Sequence, residues 1–91
     1  MAQRTLAEIA REIESDYRER GKPVHFSAKP YVDAMKHMGT MDDTFGYDDA
    51  EDIVIRVLGN LSSWRGETAQ RVKRELRVML HEKNPRHKMP K

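Results

Sequence analysis

The sequence predicts an all-α domain of four short helices, and three observations carry that reading. Apolar residues recur at helical spacing in four separate stretches. Glycine and proline punctuate the gaps, at Gly21, Pro23, Gly39 and Gly46. The alternation at Val24 and Phe26 is too short to make a sheet alone. Ninety-one residues suit one domain with a small core. Hydrophobic residues make up 37% of the chain and charged ones 35%. That balance fits small helices, and the periodic placement of the apolar residues argues against disorder.

Thr5 and Glu8 form a capping box, in which the hydroxyl accepts from the Glu8 amide and the carboxylate reaches back. Leu6, Ile9, Ala10, Ile13 and Tyr17 then share a face, and Gly21 with Pro23 stops the helix, predicted over about 6–20. Glu14–Arg18 and Asp16–Arg20 are i,i+4 pairs on its wet side. LAEIAREI also resembles the first helix of a helix-turn-helix, but the helix runs on through ESDYRERG where a short turn is required.

In the connector GKPVHFS, Phe26 is expected to plug the core and Ser27 to cap a second helix over about 28–38. Pro30 fits the first turn of that helix, whose face is Tyr31, Ala34, Met35 and Met38. TMDDTFGYD is a loop, with a tight turn at Gly46 pinned by Phe45 and Tyr47. The third helix, over about 49–61, carries Ala50, Ile53, Val54, Val57, Leu58 and Leu61 and is expected to be central. Asp48 or Asp49 caps it. Gly59 falls opposite the stripe. The fourth helix, over about 64–82, is capped by Ser62 or Ser63 and buries Ala69, Val72, Leu76, Met79 and Leu80. Trp64 closes the end of the core, and Lys73 sits at the core edge, where it snorkels. Glu67–Arg71 and Arg71–Glu75 are i,i+4 pairs on this helix. KNPRHKMPK reads as a disordered basic tail.

Charge is unevenly placed. Residues 1–39 carry seven basic and six acidic side chains, 40–64 one against six, and 65–91 nine against three, so +1, −5 and +6 sum to +2. A basic surface is thus expected on Arg71, Arg74, Arg77, Lys83, Arg86, Lys88 and Lys91. An acidic, partner-facing surface is expected on Asp42, Asp43, Asp48, Asp49, Glu51 and Asp52. Those acids do not make a calcium loop. With Gly46 at the obligatory sixth position, the first and fifth positions are Met41 and Phe45, which have no ligating side-chain oxygen.

The segments FGYDDAEDIV and SSWRGETAQRVKREL resemble small uncharacterised proteins of bacteriophages and their actinobacterial or other Gram-positive hosts. The resemblance covers roughly residues 6–80. It implies a phage or mobile-element setting and carries no functional residue over.

No catalytic constellation emerges. The serines and threonines sit at caps and turns. His25, His37, His81 and His87 are scattered without HExxH or paired spacing, and Asp33–His37 reads as a surface pair. GKPVHFS lacks the glycine spacing and preceding strand of a phosphate loop. The absence of cysteine excludes disulfides, thiolate catalysis and cysteine zinc sites. No run nears the roughly 20 apolar residues that span a bilayer. MAQRTLAEIAREI lacks a signal-peptide core. The expectation is a cytoplasmic, non-enzymatic binding protein without a cofactor, with a protein as partner. Six methionines favour adaptable contacts, and opposite charge blocks favour weak self-association. The alternative is sequence-nonspecific nucleic-acid binding through the fourth helix and the tail.

Overall fold

The computed structural model describes residues 4–84. It contains helices α1 (Leu6–Glu19), α2 (Lys29–Met35), α3 (Ala50–Asn60) and α4 (Glu67–Lys83). Between α2 and α3 lie two short strands, β1 (Thr44–Phe45) and β2 (Asp48–Asp49). Of the expected tail KNPRHKMPK, Lys83 closes α4 and Asn84 is its cap, while residues 85–91 lie outside the described residues.

The mainly helical architecture agrees with the periodicity, and the strand pair is an addition. β1 and β2 run antiparallel, with Phe45 opposite Asp48. Gly46 takes φ +65 at the first turn position, as a two-residue hairpin of type II′ demands. The tight turn is where the sequence placed it, but its aromatics do not pin it inward. Tyr47 stands wholly in solvent, and Phe45 stacks on His37 at 5.4 Å.

The helices pack as a ring. α1 lies against α2 and α4, and α3 lies against the same two. The central place expected for α3 is therefore shared. α1 buries Leu6, Ile9, Ala10, Ile13 and Tyr17, while α3 buries Ala50, Ile53, Val54 and Val57. Leu58 is only half-buried at the edge. Met35, Met38 and Met79 fill the core, joined by Met41 from the loop.

The capping box forms as read: Thr5 Oγ1 accepts from the Glu8 amide at 3.0 Å, and Thr5 N donates to Glu8 Oε1 at 2.8 Å. The next amides of α1 find partners far along the chain. Leu6 N donates to Gly39 O at 3.0 Å and Ala7 N to Met38 O at 2.9 Å. This corrects the end of the second helix. His37 and Met38 turn back by i→i+3 bonds to Ala34 and Met35, so α2 ends at Met35 and carbonyls 38 and 39 are free to cap α1.

Other caps differ from the expectation. Ser27 does not cap α2: the cap position is Ala28, without a side-chain bond. Asp49 holds the cap position of α3 without a side-chain bond, and the Ala50 amide donates to Asp43 O at 2.9 Å. Neither Ser62 nor Ser63 caps α4, and Trp64 precedes that helix. Gly66 is its cap at φ +115, a conformation that only glycine adopts freely, so the helix cannot begin before it.

Candidate binding groove

Part of the predicted charged surfaces is engaged within the fold. Arg71 pairs with Glu12 instead of with Glu67 or Glu75. Glu12 Oε1 also lies 2.8 Å from Arg4 Nη1. Arg4 grips Glu75 with two bonds, of 2.6 and 3.0 Å, so that its guanidinium is held charged by Glu75 first and Glu12 next. Arg71, chiefly, holds the Glu12 carboxyl below its ordinary value. Lys83 pairs with Asp42, joining the basic and acidic segments within one molecule. Asp42 raises the Lys83 ammonium most, with Glu51 and Asp49 adding to it. Among the described residues, Arg74 and Arg77 remain exposed on α4 without an ion pair. Arg86, Lys88 and Lys91 lie outside the described residues. Of the expected basic surface, Arg71, Arg74 and Arg77 are exposed on α4, with Arg71 engaged by Glu12.

The acidic set is also divided. Asp43 Oδ2 accepts from the amides of Gly39 at 2.6 Å and Thr40 at 3.1 Å, which lowers its carboxyl below the ordinary value. It is a structural brace, not a partner-facing charge. Asp48 and Asp49 are exposed on β2, and Glu51 and Asp52 lie in the first turn of α3. Arg56 is held charged chiefly by Tyr31, whose hydroxyl accepts from it at 3.4 Å, with Asp48 and Asp52 contributing. Asp33 faces Lys29 at 3.5 Å and Lys36 at 3.3 Å, so the Asp33–His37 pair does not form.

The site that the sequence did not reveal lies at the other end of the molecule. A groove of about 650 Å³ opens between the 21–28 connector and the corner joining α3 to α4. That size is typical of ligand sites. Tyr17 and Trp64 form its floor, Val24 and Phe26 its connector side, and Arg20, Lys22 and Lys29 its charged rim.

Each wall follows from local structure. Trp64 stacks on Tyr17 at 5.9 Å and donates its indole N–H to Asp16 Oδ2 at 2.7 Å. Arg20 reaches the same carboxylate at 3.0 Å and donates to Arg65 O at 2.5 Å. It crosses directly over Gly66, where an added Cβ would meet Nη2 at 2.6 Å. Lys73 lies at the core edge as expected, but its ammonium turns to the Trp64 carbonyl at 2.6 Å instead of reaching fully into water. Burial, then Arg77 and Arg65, lower its ammonium below the ordinary value.

Phe26 is the main correction. It does not plug the core but stands 83% exposed, stacked on His25 at 4.9 Å, while Val24 is buried. Period-two alternation would put both on one face. The chain does not stay extended: Ala28 N and Lys29 N both donate to His25 O, at 2.9 and 3.0 Å, and the resulting turn throws Phe26 outward. His25 Nδ1 and Ser27 Oγ, 2.7 Å apart, brace that turn. One signal in the sequence was available. Residues 18–29 hold four cations, Arg18, Arg20, Lys22 and Lys29, against Glu19 alone, a local +3 hidden within the near-neutral first segment.

Among the described residues, no group of three or more His, Asp or Glu is placed to hold a metal ion. No helix among them is long and apolar enough to cross a membrane. No family model matches the chain, and neither a curated protein nor a solved structure matches it.

Proposed function

We propose that this chain is a small, non-enzymatic binding protein whose ligand seats in the groove between the connector and the α3–α4 corner. The observation that carries this reading is the outward Phe26 ring on a groove with no carboxylate in its lining. A large exposed aromatic beside cations is the composition of a binding surface. A cytoplasmic, phage or mobile-element setting belongs to the same reading and rests on the resemblance of FGYDDAEDIV and SSWRGETAQRVKREL.

A photo-crosslinking phenylalanine at position 26, expressed in a bacterial host, tests it. The expected result is a saturable adduct, competed by excess wild-type protein but not by Phe26→Asp. The control carries the same group at exposed Arg11 on α1, away from the groove. Identical labelling from positions 26 and 11 overturns the reading.

A second reading, protein contact through the hairpin, is favoured by Tyr47 and Phe45, both exposed beside Asp48 and Asp49. Aromatics anchor protein interfaces, and the carboxylates select a basic partner. Loss of partner capture on Tyr47→Ala, with Phe26→Ala unchanged, would favour this face over the groove.

A further inference from the structure

We propose that the groove binds single-stranded nucleic acid, with a base on Phe26 and phosphates on Lys22 and Lys29. This rests on the groove being the binding site and names the chemistry of its occupant.

The shape calls for an elongated ligand. A second depression adjoins the groove across the connector, and the two share Lys22, Pro23, Val24 and Lys29. The second adds Arg18 to the cations along the track, and Glu14 lines it as well. A chain crossing the ridge at Pro23 meets Lys22 and Lys29 from either side.

The charge calls for a polyanion. Three of the nearby carboxylates are already engaged, while Glu19 stands exposed between Arg18 and Arg20. Asp16 is held by Trp64 and Arg20, Glu14 by Lys36 at 2.5 Å, and Asp33 by Lys36 and, more loosely, Lys29. Arg20 is pinned by the Arg65 carbonyl and by Asp16, which offsets its charge, so its guanidinium is held in place on the rim. Lys22 has no ion pair among the described residues. Phosphates on such groups release counterions, which makes affinity salt-dependent.

The ring calls for an unpaired base. His25 backs one face of Phe26, at an interplanar angle of 25°, and leaves the other to solvent. A base stacking there covers apolar surface whatever its identity. Stacked, paired bases in a duplex present no free face, so the groove selects single strands and tolerates their sequence.

The test uses the full chain and the emission of Trp64, the sole tryptophan, which lines the groove. It is titrated with oligo-dT, oligo-rU and a duplex at about 50 and 200 mM salt. The expected result is saturable binding of the single strands that weakens steeply with salt, with the duplex weaker. Phe26→Ala lowers affinity about tenfold, within the range of one lost base stack, and Phe26→Trp retains it. Lys22→Gln with Lys29→Gln reduces the log–log salt slope by about 1.4, at roughly 0.7 per phosphate contact on a single strand. Arg74→Gln with Arg77→Gln leaves binding unchanged. Phe26, Lys22 and Lys29 are all exposed, so circular dichroism should report unchanged helicity in these variants.

Three results overturn the proposal. They are a duplex bound as tightly as the single strands, loss of binding on Arg74→Gln while Phe26→Ala has no effect, or no response to any oligonucleotide. In the last case a specific adduct from position 26 leaves the binding reading standing with a protein as ligand. Absence of that adduct removes both.

Discussion

The Trp64 indole N–H donates to the Asp16 carboxylate at 2.7 Å, tying the α3–α4 corner to α1 across 48 positions of sequence. The indole is buried, and Asp16 is the acceptor its N–H meets. Asp16→Ala should therefore cost about 1–3 kcal/mol, the range for a buried donor left without its partner. Trp64→Phe keeps most of the ring and should cost less than Trp64→Ala. Thermal melts of both singles and the Asp16→Ala, Trp64→Phe double variant check this, with an expected coupling of about 0.5–3 kcal/mol. Additive losses would show that the bond contributes little.

Two glycines make opposite demands. Gly66 sits at φ +115 under the Arg20 guanidinium. Gly66→Ala should lower stability by more than about 1 kcal/mol and displace Arg20 from the Arg65 carbonyl. Gly59 lies in α3 with open space where a Cβ would go. Gly59→Ala should raise stability by about 0.5–1 kcal/mol, the propensity difference within a helix. Urea melts at fixed pH compare the pair. A destabilised Gly59→Ala would show that the helix end is strained there.

Acid should unfold the domain through carboxylates that the fold holds ionised. Glu8 is lowered below 4.5 chiefly by the Thr5 amide, Glu12 below 4.5 chiefly by Arg71, and Asp43 below 3.8 chiefly by the Gly39 amide. A depressed folded-state value means the unfolded chain binds protons first. Stability is thus complete above the ordinary carboxylate values and lost as pH falls through the lowered ones. Asp43→Asn should flatten the acid limb of a plot of melting temperature against pH, and should lower the melting temperature near neutral pH. An unchanged acid limb would remove Asp43 from the account.

Burial separates two neighbours on α3. Val57 is fully buried, and Leu58 is half-buried at the edge. Val57→Asp places an unpaired charge in the core and should abolish the cooperative melt of a domain with only about 5–15 kcal/mol to lose. Leu58→Asp should leave a folded protein with a lower melting temperature. Equal damage from both would put Leu58 in the core proper.

How far each feature was legible follows from the sequence distance it spans. The Thr5–Glu8 box joins positions three apart and was read correctly, as were the inward residues of α1 and α4. Asp16–Arg20 formed as an i,i+4 pair. Arg71 had two such partners available and took Glu12, which only the packing of α4 on α1 brings near. The end of α2 was misplaced because the start of α1 claims the carbonyls of Met38 and Gly39. The groove was missed because one turn at His25 reversed the orientation of Phe26.

α2 buries Val32 where Tyr31 was expected. Residues near one another in the chain were enough for the presence of four helices, the inward faces of α1 and α4, the tight turn at Gly46 and the cap at Thr5. These depend on period, propensity and hydrogen bonds within a few residues. Long-range packing selected which charges pair, as in Arg4–Glu75 and Lys83–Asp42, and brought Phe26, Trp64 and Tyr17 to one groove. Those outcomes depend on which distant surfaces meet once the four apolar stripes close on one another, and that closure has no signature within any single stretch of chain.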